Sequence, residues 1–190
     1  MQEAILTATA LFVQRAMAEN DTAHDTDHLN RVVALAMQLA EKCGANLFRT
    51  RMLALLHETS DDKLNSNLGL PAVEVFLKTQ GLPLADIDFL LMGIPYISYR
   101  KYPKLSPDIP LEIRIVQDAD RIDAMGAVGI ARTFAYGGAK GRSLTESLTH
   151  FDEKLLRLYD LLSTPEAKEL AAPRYAFLKS FYQQFKNEAE

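Results

Sequence analysis

Apolar residues recur at three- and four-residue intervals along most of this chain, which is the spacing of one face of an α-helix. In the second such stretch Leu29, Val32 and Leu35 fall on one side, and Gly44 follows as a natural C-terminal cap. Neither an alternating strand pattern of useful length nor an internal repeat is present. The pattern therefore predicts an all-α protein.

The predicted helices are bounded by proline, glycine and capping residues. The first five cover about residues 2–19, 27–42, 46–57, 71–81 and 84–93. A long and mostly apolar helix begins near Leu111. Two more begin at the capping box Ser143–Glu146 and at Thr164 with Pro165. Four prolines between Gly93 and Pro110 exclude a single regular element there. The glycine-rich stretch "YGGAKGR" lacks the spacing of a nucleotide-binding P-loop and is predicted to be a flexible connector.

Three polar residues interrupt apolar helical faces. His28 lies in the apolar arc of the second helix, and His57 directly follows the apolar run of the third. Asp120 lies at the centre of an apolar stripe of the long helix, which consists of Ile113, Val116, Ala124, Ala127 and Ala131. A single buried histidine is usually a hydrogen-bonded core residue. Three such residues from three helices favour one shared site, because imidazoles with carboxylates suit a transition-metal ion.

Composition and charge exclude several classes of function. The formal net charge is −4, so no basic field favours a nucleic-acid polymer as partner. No apolar run reaches the roughly 18–20 residues that a membrane span requires. The amino-terminal apolar stretch is preceded by Glu3 and by no basic residue, which favours an amphipathic helix over a signal peptide. The single Cys43 fits a reducing compartment, and a cytoplasmic protein is expected.

Three segments give these residues a more specific interpretation. "HDTDHLNRV", "LLHETSDDK" and "DADRIDAMGAVG" occur in that order and together span roughly residues 20–140. The ordered set resembles the motif series of the HD-domain superfamily of metal-dependent phosphohydrolases, in particular its small stand-alone bacterial branch. The resemblance implies a single helical domain over residues 1–190 with the motif core at about 20–140.

The resemblance implies one divalent metal ion, held by four residues: His28, His57, Glu58 and Asp120. Its identity is open among Mn, Fe, Co, Ni, Zn and Mg. Glu58 departs from the family, which has aspartate at this position. The extra methylene shifts the reach of the carboxylate by about 1.5 Å, which matters for ligands held at about 2.1 Å. We expect metal binding with altered affinity or preference; the alternative is a degenerate site.

The resemblance also implies residues around the metal. Asp61 would orient or deprotonate the attacking water, while Lys63 and Arg31 would neutralise phosphate oxygens. The predicted substrate-binding residues are His24, Arg121, Asp123, Arg100 and Lys101. For His24 a loop-stabilising role is the alternative, and for Arg121 an ordinary ion-pair role. Arg100 and Lys101 belong to the basic-aromatic stretch "YISYRKYPK", which would stack a base and hold phosphates or, alternatively, form a solvated loop.

The expected activity is hydrolysis of a phosphate ester or anhydride by a metal-bound hydroxide. The superfamily implies a small phosphorylated substrate, most often a nucleotide. The alternative is a catalytically degenerate module that binds a nucleotide or metal without turnover. The sequence leaves assembly into a homo-oligomer open.

Overall fold

The structure, a computed structural model, describes residues 1–18, 26–60, 69–98 and 108–189. Its α-helices are α1 (Gln2–Ala18), α2 (Thr26–Cys43), α3 (Leu47–Leu56), α4 (Leu70–Thr79), α5 (Leu84–Ile97), α6 (Leu111–Asp123), α7 (Gly126–Ala139), α8 (Leu144–Glu153) and α9 (Pro165–Ala189). No strand occurs in these ranges, so the all-α fold class is confirmed. None of these helices is long and apolar enough to cross a membrane.

The chain divides into two compact units, Met1–Gln117 and Asp118–Glu190. Helix α6 runs continuously through this boundary, so its residues belong to both units. The expected single domain over residues 1–190 stays a prediction.

Helix α3 forms the centre of the first unit. It packs on α1, α2 and α5, and Met52, Leu53 and Leu56 are fully buried. A helix that is apolar on nearly all sides needs neighbours on several sides to remove its surface from water. The sequence LFRTRMLALL has this character in its second half. The end of α3 is therefore held inside the protein, and the residues that follow it begin in a buried environment.

Aromatic packing dominates the second unit. Helix α7 packs on α8 and α9. The ring of Phe134 lies 5.9 Å from that of Phe151, 5.9 Å from that of Phe181 and 5.6 Å from that of Phe185, measured between centroids. Such offset and tilted pairs add to the burial of apolar area. One aromatic cluster therefore joins α7, α8 and α9.

The capping signals were predicted correctly. Ser143 accepts a hydrogen bond from the Glu146 amide, and the Glu146 carboxylate accepts one from the Ser143 amide, which completes the capping box. The bond from the Ser143 amide lowers the pKa of Glu146 below its usual value. At the start of α9 the Thr164 hydroxyl accepts a hydrogen bond from the Ala167 amide. Gly44 has a φ of 67° after α2, as a glycine cap requires.

The prediction of one long helix from Leu111 was wrong. The chain turns after α6, and α7 begins at Gly126, whose φ is 73°. A positive φ is accessible to glycine at little cost and interrupts the helix. Ala127 and Ala131 lie beyond this break and are exposed. Their helical spacing relative to Ile113 and Val116 is therefore a coincidence, because they lie on a different helix.

Two further boundaries differ from the predictions. Helix α5 continues through Pro95 to Ile97, although the prolines predicted an end near Gly93. Proline in the last turn removes a single hydrogen bond, and the Gln117 side chain donates to the Tyr96 carbonyl at 2.6 Å. The "YGGAKGR" stretch was predicted to be a flexible connector, and this prediction was wrong. Helix α7 extends through it to Ala139, and the Arg142 amide donates a hydrogen bond to the Gly137 carbonyl at 2.9 Å.

Replacement of Gly129 by alanine is expected to destabilise the protein by about 3 kcal/mol. A Cβ atom at Gly129 would overlap the main-chain carbonyl of Ala124, which the turn between α6 and α7 places against this glycine. Gly138 in the same helix is the matched control, because nothing lies within 4 Å of a Cβ there. Gly138→Ala should be neutral or stabilising by about 0.5–1 kcal/mol. Urea unfolding measures both changes, and equal stability of the two variants would contradict this account of the break.

Candidate metal centre

His57 and Glu58 lie in a 3₁₀ turn, His57–Ser60, that directly continues α3. The last carbonyl groups of a helix have no intrahelical partner. The His57 ring bonds through Nδ1 to the Ala54 carbonyl oxygen at 2.7 Å, and the Thr59 hydroxyl donates to the Leu56 carbonyl at 2.6 Å. These bonds hold the turn against the buried end of α3. His57 is therefore held in one orientation with only 7% of its surface exposed.

His28 reaches the same place from the first turn of α2. It is 3% exposed, and Leu29 and Val32 beside it are buried as the apolar arc predicted. Helix α2 packs on α3, and the centroids of the His28 and His57 rings lie 5.5 Å apart at an interplanar angle of 71°. The sequence-based prediction that these two imidazoles converge from separate helices is correct in geometry.

The Glu58 carboxylate lies between the two rings. Its Oε1 atom is 3.3 Å from Nε2 of His28 and 3.2 Å from Nε2 of His57. A carbonyl oxygen can only accept, so the bond to Ala54 places a proton on Nδ1 of His57. Nε2 of a neutral His57 then carries a lone pair. A lone pair facing a carboxylate oxygen at this distance is favourable only when a proton or another cation lies between the two atoms.

Asp120 completes a group of potential ligands. His28, His57 and Asp120 each offer one ligand atom, and these atoms lie within 4.8 Å of one another. Ligands at about 2.1 Å from one ion, at tetrahedral or octahedral angles, are about 3.0–3.4 Å apart. The donor set of two imidazoles and carboxylates fits a divalent transition metal. Within the described ranges this group could hold a metal ion, as the sequence predicted. Glu58 is not one of the three, although it lies beside both histidines.

The other predicted site residues of the described ranges lie near these ligands in sequence. Arg31 is half-buried on α2, three residues after His28. Arg121 is 2% exposed and donates through Nη1 to the Leu161 carbonyl at 2.6 Å. Asp123 is fully buried and accepts a hydrogen bond from Arg132 at 2.9 Å. These contacts show a structural task for Arg121 and Asp123, and the substrate-binding roles of both stay predictions.

Several predicted site residues lie outside the described residues. They are His24, Asp61, Lys63, Arg100 and Lys101. Their proposed roles at the substrate stay predictions.

Asp118 was not predicted from the sequence. This carboxylate is fully buried on α6 and accepts four different donors from Ser163 and Thr164. Burial raises its pKa, and the hydrogen bonds from Ser163 and Thr164 oppose that shift. The only sequence signal was the repeat of aspartate in "DAD", and nothing local identifies partners 45 and 46 residues away.

Comparison with solved structures defines the class of this protein. A crystal structure of an HD-superfamily hydrolase from Bacillus thuringiensis is 36% identical in sequence, with a TM-score of 0.81, and the match covers 99% of this chain and 98% of that one. A predicted HD-superfamily hydrolase from an uncultured Thermotogales bacterium is 27% identical, with a TM-score of 0.62, over 99% of this chain and 92% of that one. No family model matches the chain. The chain belongs to the HD superfamily of hydrolases.

A particular relative is the protein YpgQ of Bacillus subtilis, which is itself uncharacterized. It is 38% identical over 184 residues, which are 93% of this chain and 90% of YpgQ. The crystal structure of YpgQ in complex with ADP matches with a TM-score of 0.84 at 35% identity, over 98% of this chain and 96% of that one. The fold is therefore shared along nearly the whole chain.

Proposed function

We propose that this protein is a metal-dependent phosphohydrolase that cleaves a phosphate ester or anhydride bond of a nucleotide. The observation that carries the proposal is the meeting of His28, His57 and Asp120, which lie far apart in the sequence and bring their ligand atoms within 4.8 Å of one another. Membership of the HD superfamily of hydrolases supports the same class of reaction.

Each residue of the centre has a defined task in this proposal. His28 and His57 would hold the ion through Nε2, and the Nδ1 bond to Ala54 keeps the His57 ring in the tautomer that such binding requires. The carboxylates of Asp120 and Glu58 would hold the ion and balance its charge. When bound, the ion supplies a Lewis acid for a phosphoryl oxygen and lowers the pKa of a coordinated water. Arg31 and Lys63 neutralise the phosphate oxygens, and Asp61 orients the water.

The ADP complex of YpgQ supports a nucleotide as the substrate, because that relative matches along nearly the whole chain. A nucleotide would place its phosphates at the metal centre. Arg100 and Lys101, from the basic-aromatic stretch, are proposed to hold the remaining phosphates.

One observation favours a second function. The resemblance implies an aspartate where this chain has Glu58, and Glu58 is not among the three residues that form the potential ligand group. A centre that lacks a fourth ligand could bind a nucleotide without hydrolysing it. The second candidate is therefore a catalytically degenerate nucleotide-binding module.

A metal and substrate screen separates the two functions. The purified protein is stripped of metal, reloaded with Mn²⁺, Co²⁺, Ni²⁺ or Mg²⁺, and incubated with nucleoside mono-, di- and triphosphates and with other phosphate monoesters. The proposal predicts release of phosphate or pyrophosphate only with metal present. Nucleotide binding in calorimetry without turnover under any metal would establish the second function and overturn the first.

A further inference from the structure

A buried hydrogen-bond cluster holds α6 against the segment that leads into α9. The Asp118 carboxylate accepts from the Ser163 amide at 2.9 Å and the Ser163 hydroxyl at 3.0 Å. It also accepts from the Thr164 amide at 3.0 Å and the Thr164 hydroxyl at 2.9 Å. A carboxylate offers about four lone-pair directions, so these four donors use its full capacity. We call Asp118, Ser163 and Thr164 the Asp118 latch.

Thr164 has two tasks within the latch. Its hydroxyl hydrogen is given to Asp118, while its oxygen accepts the Ala167 amide as the N-cap of α9. The same carboxylate lies at the N-terminal end of α9, where free amides and the helix dipole favour negative charge. One side chain of α6 is thereby joined to the start of a 25-residue helix.

Arg121 strengthens the same side of α6. It lies one turn after Asp118, with Nη1 3.8 Å from Asp118 Oδ1 and 2.6 Å from the Leu161 carbonyl oxygen. Two buried charged side chains of α6 therefore contact the short segment from Leu161 to Thr164. Buried bonds of this kind are costly to break, because a buried donor or acceptor left without a partner destabilises the folded protein by about 1–3 kcal/mol.

The latch and the metal ligand point to opposite sides of one helix. Successive residues of an α-helix are separated by about 100°, so Asp120 lies about 200° from Asp118. A carboxylate at about 5–6 Å from the helix axis moves by about 1 Å when the helix turns by 10°. Metal ligands tolerate shifts of about 0.2 Å. The rotation of α6 must therefore be held closely for Asp120 to bind an ion.

We infer that the Asp118 latch is the positioning element of the metal centre and sets the rotation of α6 that directs Asp120 at the ion. This inference rests on the proposed function for the role of Asp120. Asp118, Ser163 and Thr164 act through Asp120 and touch neither metal nor substrate. A substitution that removes a latch hydrogen bond lowers the metal affinity. It does so by more than a substitution within α9 that costs the same free energy of unfolding.

The test compares conservative changes at Thr164. Thr164→Val keeps the shape and removes the hydroxyl, whereas Thr164→Ser keeps the hydroxyl. Mn²⁺ affinity is measured by electron paramagnetic resonance of the free ion, which needs no turnover. Thr164→Val is expected to weaken Mn²⁺ binding by about 10- to 100-fold, the range for residues that orient a ligand. Thr164→Ser should stay within about twofold of the wild type, and Asp118→Asn should resemble Thr164→Val.

Ala171→Gly is the control for stability. Ala171 is buried on α9, and glycine there costs about 1 kcal/mol, similar to the loss of an N-cap. This variant should bind Mn²⁺ as the wild type does. Wild-type affinity in Thr164→Val, or an equal loss in Ala171→Gly, overturns the positioning role. A wild type that binds Mn²⁺ but hydrolyses no phosphate overturns only the proposed function. A wild type that binds no Mn²⁺ overturns the metal centre and the latch's role together.

Discussion

Replacement of His57 by alanine is expected to remove the bound metal and to lower the phosphohydrolase activity at least about 10³-fold. That decrease corresponds to about 4 kcal/mol of transition-state stabilisation. His57 would supply an imidazole ligand from the buried end of α3. Loss of its bond to the Ala54 carbonyl adds a smaller stability cost of about 1 kcal/mol. Elemental analysis and phosphate release measure the two main effects.

His150→Ala is the matched control for this experiment. His150 lies on α8 and belongs to none of the three motifs. The control should keep both the metal and the activity. Circular dichroism and urea unfolding of both variants separate a loss of ligand from a loss of fold. A folded His57→Ala protein with full metal content and turnover would refute the assignment of His57.

Changes at Glu58 are expected to have the second-largest effect. Its Oε1 atom lies 3.2–3.3 Å from both imidazole nitrogens, a separation that two ligands of one ion adopt. Glu58→Gln keeps the length and removes the negative charge, so Mn²⁺ affinity should fall by about 100-fold. Glu58→Asp keeps the charge and shortens the reach, so binding should persist with a changed order of preference among Mn²⁺, Co²⁺, Ni²⁺ and Mg²⁺.

Isothermal calorimetry with each metal measures the Glu58 series. The comparison of two substitutions at one position separates the charge of the carboxylate from its reach. If Glu58→Gln binds every metal as tightly as the wild type, then Glu58 is no ligand and the ion depends on His28, His57 and Asp120 alone. That result would also strengthen the case for a degenerate binding module.

The helical fold could be predicted because its signals are local. The apolar arc of α2 and the capping residues at Ser143 and Thr164 depend on neighbours within one or two turns. The break between α6 and α7 was missed because alanines after Gly126 continued the apolar spacing by chance. Helix α5 extends through Pro95, and the Gln117 side chain from another helix donates a hydrogen bond to the Tyr96 carbonyl at its end. Helix propensity and capping signals near Pro95 do not predict that contact.

The site was predictable to a similar extent. Two buried imidazoles and Asp120 were found because polar residues on apolar faces are costly without a partner. The resemblance placed Glu58 beside both histidines as a ligand, a role that stays a prediction, but the 3₁₀ turn after α3 that brings its Oε1 atom against both rings was not predicted. The Asp118 latch was also beyond reach, since its partners lie 45 and 46 residues away.

The central claim is that one divalent cation is held by His28, His57 and Asp120. Anomalous diffraction from crystals grown with MnCl₂, recorded on both sides of the manganese absorption edge, tests it most directly. The account predicts a single strong peak at about 2.0–2.3 Å from Nε2 of His28, Nε2 of His57 and a carboxylate oxygen of Asp120. No peak at these atoms at saturating manganese, or a peak elsewhere with these three residues uninvolved, would contradict it.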